Sequence, residues 1–218
     1  MEQIKKSVET IENKNSEALN SHLGVRGNMK TLSIALKIFL VFTILTGVIY
    51  PLVVTGIAQV VFPHQANGSL ILKDNKIIGS ELIGQQFDST IYFTSRPSAI
   101  GNNPLPSGGS NYGLTSVKLK AQVTERKSKF IAFNQLNKTT EVPSEMLFAS
   151  ASGLDPHISP IAAELQINRI ATARHFNNVQ KERLKTLVEK TSEAPQLACL
   201  GENRVNVLLL NIALDKIK

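Results

Sequence analysis

The sequence predicts an α+β extracytoplasmic domain anchored by one N-terminal transmembrane helix. Three observations predict it. Residues Ile38–Pro63 run without a charged side chain, which exceeds the ~20 apolar residues that a bilayer-crossing helix needs. Strand-like segments open and close the chain that follows, and helix-patterned segments lie between them. The expected organisation is a cytoplasmic segment over residues 1–30, the span over 31–63 and the outer domain over 64–218.

The N-terminal segment is polar and of mixed charge, with an amphipathic helix expected from Gln3 to Leu19. The span is too long for the ~7–15-residue apolar region of a signal peptide, and no small-x-small cleavage site follows it. It reads as an uncleaved anchor. Arg26, Lys30 and Lys37 precede it, whereas the first charges after it are Lys73 and Asp74. The positive-inside rule therefore puts the N-terminus in the cytoplasm and the large C-terminal part outside. Pro51 removes a helix donor within the span. Thr43 and Gly47 lie four apart, a spacing of small residues that lets a second helix approach closely. Thr43, Gly47 and Pro51 are the candidate docking positions of the span.

In the outer part, Leu70–Leu72 and Lys76–Ile78 flank Asp74-Asn75, the pattern of a hairpin. Gly101–Gly113 is a long loop rich in Gly, Pro, Ser and Asn, and loops of that length tend to be functional or mobile. A helix is expected over Thr115–Arg126. Ser159 followed by Pro160 marks a helix start, with a hydroxyl cap and then Pro at the first helical position; that helix should reach Arg174. Asn177 with Gln180 has capping-box spacing, and Leu184, Leu187 and Val188 share one face of the helix it would open. Val205–Leu214 alternates with apolar residues on both faces and reads as a strand central in a sheet.

Composition narrows the function classes. The 218 residues carry 24 Lys plus Arg against 17 Asp plus Glu, no Trp and three Tyr. A basic excess beside a membrane suits anionic lipid head groups, and no recognisable nucleic-acid module is present. Cys199 is the single cysteine, so neither an intrachain disulfide nor a thiolate metal cluster can form. His22, His64, His157 and His175 lack metal-ligand spacing. The chain contains neither a GxxxxGK[ST] phosphate loop nor a DKTG phosphorylation sequence. No cofactor is expected.

Ser152, Asp155 and His157 invite a second reading, a membrane-anchored extracytoplasmic serine hydrolase. A triad needs Ser against imidazole and imidazole against carboxylate. Three members within six residues beside a Pro seldom reach that geometry, and no GxSxG elbow exists. Ser107–Asn111 has the glycine content of a backbone nest for an anion or of a carbonyl shell for a cation.

Five stretches together carry a resemblance: GSELIGQQF (Gly79–Phe87), YFTSRPSA (Tyr92–Ala99), SGGSNYG (Ser107–Gly113), ASASGLDPHISPIAAELQINRIATAR (Ala149–Arg174) and GENRVNVLLLNIALD (Gly201–Asp215). In this order they resemble the C subunit of the bacterial Kdp potassium-transporting ATPase, from about Met29 to the C-terminus. Residues Met1–Asn28 precede the usual start of that family. The resemblance implies a non-catalytic accessory subunit in the cell membrane. Its implied partners are a channel-like potassium-translocating subunit, a P-type ATPase subunit that hydrolyses ATP and a small single-span subunit. It also implies that Arg96, Ser110, Asn111, Asp155 and His157, polar residues within the matching blocks, shape the outer surface that faces the transporter.

Overall fold

The computed structural model describes residues 2–22, 29–105 and 108–217. They fall into two compact units, Met1–Ala66 and Asn67–Lys218.

The first unit is helical. Helix α1 covers Glu2–His22, and the side chains described in it, residues 5–15, are exposed. Helix α2 (Met29–Ile44) passes through a π-helical turn, Leu45–Ile49, into α3 (Tyr50–Val61), and α4 is the short Pro63–Ala66. Pro51 explains the π turn. In an unbroken α-helix its ring would press on the carbonyl four residues back, at Gly47, and leave that carbonyl without a donor. The wider turn absorbs the insult, with the Tyr50 N–H reaching the Leu45 carbonyl instead. The Thr46 hydroxyl also donates to the Phe42 carbonyl at 2.7 Å. Lys30–Val61, 32 residues, is long and apolar enough to cross a membrane, and none of its most apolar stretch is buried against protein.

The second unit opens with the hairpin of β1 (Leu70–Lys73) and β2 (Lys76–Ser80). Asp74 and Asn75 both take positive φ, 51° and 61°, the backbone of the type I′ turn whose twist matches paired strands. Helix α5 (Val117–Phe133) starts at the Ser116 cap and runs past the expected end at Arg126. A 3₁₀ turn at Ser144–Met146 leads to β3 (His157–Ile158). Helix α6 (Pro160–Ala173) has its Ser159 hydroxyl accepting from the Ala162 N–H, and α7 (Asn178–Thr191) carries the reciprocal Asn177–Gln180 capping box. Strands β4 (Ser192–Glu193) and β5 (Arg204–Asn206) complete a three-stranded antiparallel sheet in the order β3-β5-β4.

The C-terminal segment corrects the sequence reading. Only Arg204–Asn206 is strand, and Val207–Leu214 is helix α8. Asn206 makes the switch: its side-chain oxygen accepts from the N–H groups of Leu208 and Leu209, capping the helix at the point where the strand stops. Val207, Leu208, Leu210 and Leu214 are buried, so the run is apolar on most sides. An apolar run of that length fits a buried helix as well as a buried strand. The core joins Phe93, Ile158, Ile170, Leu184, Val188, Val205, Leu210 and Leu214, so α6, α7 and α8 pack with the small sheet around one centre. The unit is α+β.

Candidate functional site

Three of the residues singled out from the sequence meet in space. Arg96 Nη1 donates to Asp155 Oδ2 at 2.7 Å. The other Asp155 oxygen accepts the His157 N–H at 3.0 Å and lies 3.3 Å from the His157 ring Nδ1. Burial pushes the Asp155 carboxyl up, but the His157 ring and N–H and the Arg96 guanidinium together outweigh it, and its pKa falls to about 2. Asp155 is therefore an anion that fixes two cation-capable side chains on one wall of an open groove of about 660 Å³. The 3₁₀ turn and the segment before β5 form its other walls. Arg96 also borders a second, more apolar groove of about 860 Å³ beside Phe130, Phe133 and Met146.

Local structure sets these positions. Asp155 Oδ1 bonding the N–H two residues on is an Asx turn, and β3 then pairs His157 with Asn206. The turn before it is held by Ser98 Oγ donating to the Gly153 carbonyl at 2.7 Å and by the Gly84 N–H donating to the Leu154 carbonyl at 2.7 Å. Gly153 sits at φ +70°, and a Cβ there would lie 2.6 Å from Ile100 Cγ1 and 3.1 Å from the Gly108 carbonyl oxygen. Only glycine accepts that backbone with those neighbours. Gly109 likewise has room for no more than contact with the Ala151 carbonyl oxygen, 3.0 Å from where its Cβ would be.

The long glycine-rich loop thus approaches the Ala149–His157 turn. Ser110 is half-buried, and Asn111 is exposed with φ +49°. Among the described residues neither is hydrogen-bonded to Arg96, Asp155 or His157. Ser107, the first residue of the candidate nest, lies outside the described residues.

Among the described residues, Ser152, Asp155 and His157 do not form a hydrolytic triad. Ser152 Oγ accepts from the Leu154 N–H at 3.1 Å, and among the described residues no hydrogen bond links it to His157. The hydroxyl closes a local turn.

Sequence reasoning missed the polar framework behind this surface. The segment Ser89–Thr94, which turns at Ser89–Tyr92 through a Tyr92 N–H to Ser89 carbonyl bond and then runs on without regular secondary structure, is held by side chains and pairs with no strand. Gln166 Oε1 accepts from the Thr94 N–H at 2.8 Å, and Asn211 bonds both backbone groups of Phe93. Arg169 donates to the carbonyls of Thr90 and Tyr92, to Asn134 Oδ1 and to Gln166 Oε1, while its guanidinium lies 4.5 Å from the centre of the Phe133 ring. Burial lowers its pKa to about 10, and a full set of oxygen acceptors holds the cation. Arg174 bonds the Ile91 carbonyl and pairs with Asp215. The available signal was a pair of polar residues, Gln166 and Arg169, on the face of α6 that also carries Ala162, Ala163 and Ile170.

Thr43, Gly47 and Pro51 lie in α2, in the π turn and in α3 respectively. Apart from its chain neighbours and the helix's own backbone, nothing described lies within 4 Å of the place a Gly47 Cβ would take.

Residues 32–216 match the family model described as KdpC: K+-transporting ATPase, c chain. The chain belongs to this family. It is 46% identical over 187 residues to the potassium-transporting ATPase KdpC subunit of Leptospira interrogans, covering 86% of this chain and 94% of that protein. The KdpC subunit of Geotalea uraniireducens is 48% identical over 193 residues, 87% of this chain and 99% of its own length. That of Mycobacterium tuberculosis H37Rv is 47% identical over 185 residues, 84% and 96%. The KdpC match takes in the π-broken apolar helix, the Arg96–Asp155–His157 network and the framework around Ser89–Thr94.

Proposed function

We propose that this chain is the non-catalytic C subunit of a potassium-transporting P-type ATPase complex. It supports assembly and high-affinity potassium import while a partner subunit hydrolyses ATP. The family match along residues 32–216, covering span and outer unit together, carries the reading. The missing phosphate loop and DKTG sequence fit it, and so does a Ser152 hydroxyl engaged in its own turn. Its partners in this reading are a channel-like potassium-translocating subunit, the P-type ATPase subunit and a small single-span subunit.

In this proposal the span over residues 31–63 crosses the cell membrane once. Arg26, Lys30 and Lys37 hold the N-terminus in the cytoplasm, residues 1–30 stay inside, and the domain from residue 64 onward lies outside. The span docks through Thr43, Gly47 and Pro51. The outer unit docks through the surface of Arg96, Asp155 and His157, with Ser110 and Asn111 on the adjoining loop.

The test is Asp155→Ala combined with His157→Ala. Complex recovery should fall several-fold, and growth on limiting potassium should slow. Unchanged recovery and growth would remove this surface from the interface.

A further inference from the structure

Helix α5 has the largest cationic excess of the helices in the outer unit. It carries five cations, Lys118, Lys120, Arg126, Lys127 and Lys129, against one carboxylate, Glu125, which Lys129 takes at 2.6 Å. Val117, Lys120, Ala121, Thr124, Lys127 and Ser128 are all exposed and follow helical spacing along one face. That face has two lysines and no acid. At its N-terminal end, Leu114 is 95% exposed and Val117 83% exposed. Two large apolar side chains are thus bared at the end of a basic helix face, an amphipathic combination that suits a lipid headgroup boundary.

We propose that this face of α5 docks on an anionic phospholipid surface, with Leu114 and Val117 entering the headgroup layer and Lys120 and Lys127 lying against lipid phosphates. Charge complementarity favours lipid: bacterial-type anionic headgroups offer a continuous negative surface, and the lysines have no acidic neighbours on the face. Chain connectivity favours it too. The outer unit begins at Asn67, shortly after the apolar helix ends at Val61, so the bilayer is a high-concentration partner for anything on that unit. A short apolar insertion and a small basic patch are each weak, and stable attachment takes such signals in combination. A basic residue near an anionic surface strengthens binding roughly five-fold, and the effect is screened once salt shortens the Debye length to ~3 Å at 1 M. The proposal rests on Lys30–Val61 spanning the membrane, which the experiment reads separately.

The experiment uses the full chain in lipid nanodiscs. Leu114→Cys, in a Cys199→Ser background because Cys199 is exposed, is labelled with an environment-sensitive fluorophore. Discs are either pure phosphatidylcholine or one part phosphatidylglycerol to three parts phosphatidylcholine. Incorporation into both kinds of disc reports the span. In anionic discs the emission should shift to the blue and be quenched by brominated lipid. Both effects should weaken several-fold in 1 M salt and in the Lys120→Glu, Lys127→Glu double variant. Hydrogen exchange on the unlabelled chain, with α5 amides slowed only in anionic discs, checks the same contact without a label. Equal emission and exchange in the two discs would overturn the proposal. So would a shift seen only after the other subunits are added, since the face would then dock a protein.

Discussion

Asn211 and Phe93, 118 positions apart, close a two-way hydrogen bond: Asn211 Oδ1 accepts the Phe93 N–H at 2.8 Å, and Asn211 Nδ2 donates to the Phe93 carbonyl at 2.9 Å. The amide does for one residue what a paired strand does for a row of them. Phe93 is fully buried and Asn211 is 2% exposed, so both backbone groups would be stranded without it. Asn211→Leu keeps similar bulk and removes both bonds. It should destabilise the outer unit by about 2–4 kcal/mol, since each unsatisfied buried group costs ~1–3 kcal/mol. Chemical denaturation of the detergent-solubilised chain checks this, and a loss below ~0.5 kcal/mol would show that the clasp is dispensable.

The Asp155 carboxyl predicts an acid sensitivity. Its pKa is about 2 in the folded chain against an ordinary 3.8. The unfolded chain takes up the proton first as pH falls. The stabilisation is therefore complete above about pH 5 and drains away as pH drops through 4 toward 2. Its size is ~1–2 kcal/mol after discounting for a side chain 30% exposed. Asp155→Asn should lower stability at pH 6 by about that amount and flatten the decline between pH 5 and 2. Denaturant midpoints across that range provide the measurement.

Gly153 holds the turn beside the groove. Gly153→Ala would place a methyl at φ +70°, 2.6 Å from Ile100 Cγ1. A left-handed backbone with a Cβ costs ~1–2 kcal/mol, and the contact with Ile100 adds to it. A loss of at least ~2 kcal/mol in thermal or chemical unfolding is expected. Gly101→Ala is the control: φ is +61° there, with nothing within 4 Å, so the backbone cost alone should be seen.

Much of the fold was legible because local chemistry settled it. The Asp74-Asn75 turn, the Ser159 cap and the Asn177–Gln180 box each bind their own backbone neighbours, so a few adjacent residues suffice to see them. Helix α8 was hidden because its apolar residues fit a strand or a buried helix equally well; Asn206 as a cap was the missed clue. The site divides the same way. Asp155 and His157 are close in sequence and were found together, whereas Arg96, 59 positions from Asp155, was singled out only through the family resemblance. Gln166, Arg169 and Asn211 act on a segment more than 70 residues away, and no local pattern exposes such a partner.

The span carries its own prediction. Beyond its chain neighbours and its own helix backbone, nothing lies within 4 Å of the Gly47 Cβ position, so Gly47→Leu should insert in the membrane and fold normally. If a neighbouring helix packs at Gly47, the larger side chain should reduce recovery of the other subunits several-fold in mild detergent. Equal recovery would place the packing face elsewhere on the span.

The most direct test is affinity purification of the tagged chain in mild detergent from potassium-starved cells, with mass spectrometry of the proteins that accompany it. The account predicts a channel-like potassium-translocating subunit and a P-type ATPase subunit in amounts comparable to the tagged chain. Recovery of the chain alone in several detergents, from cells shown to express the pump, would contradict it.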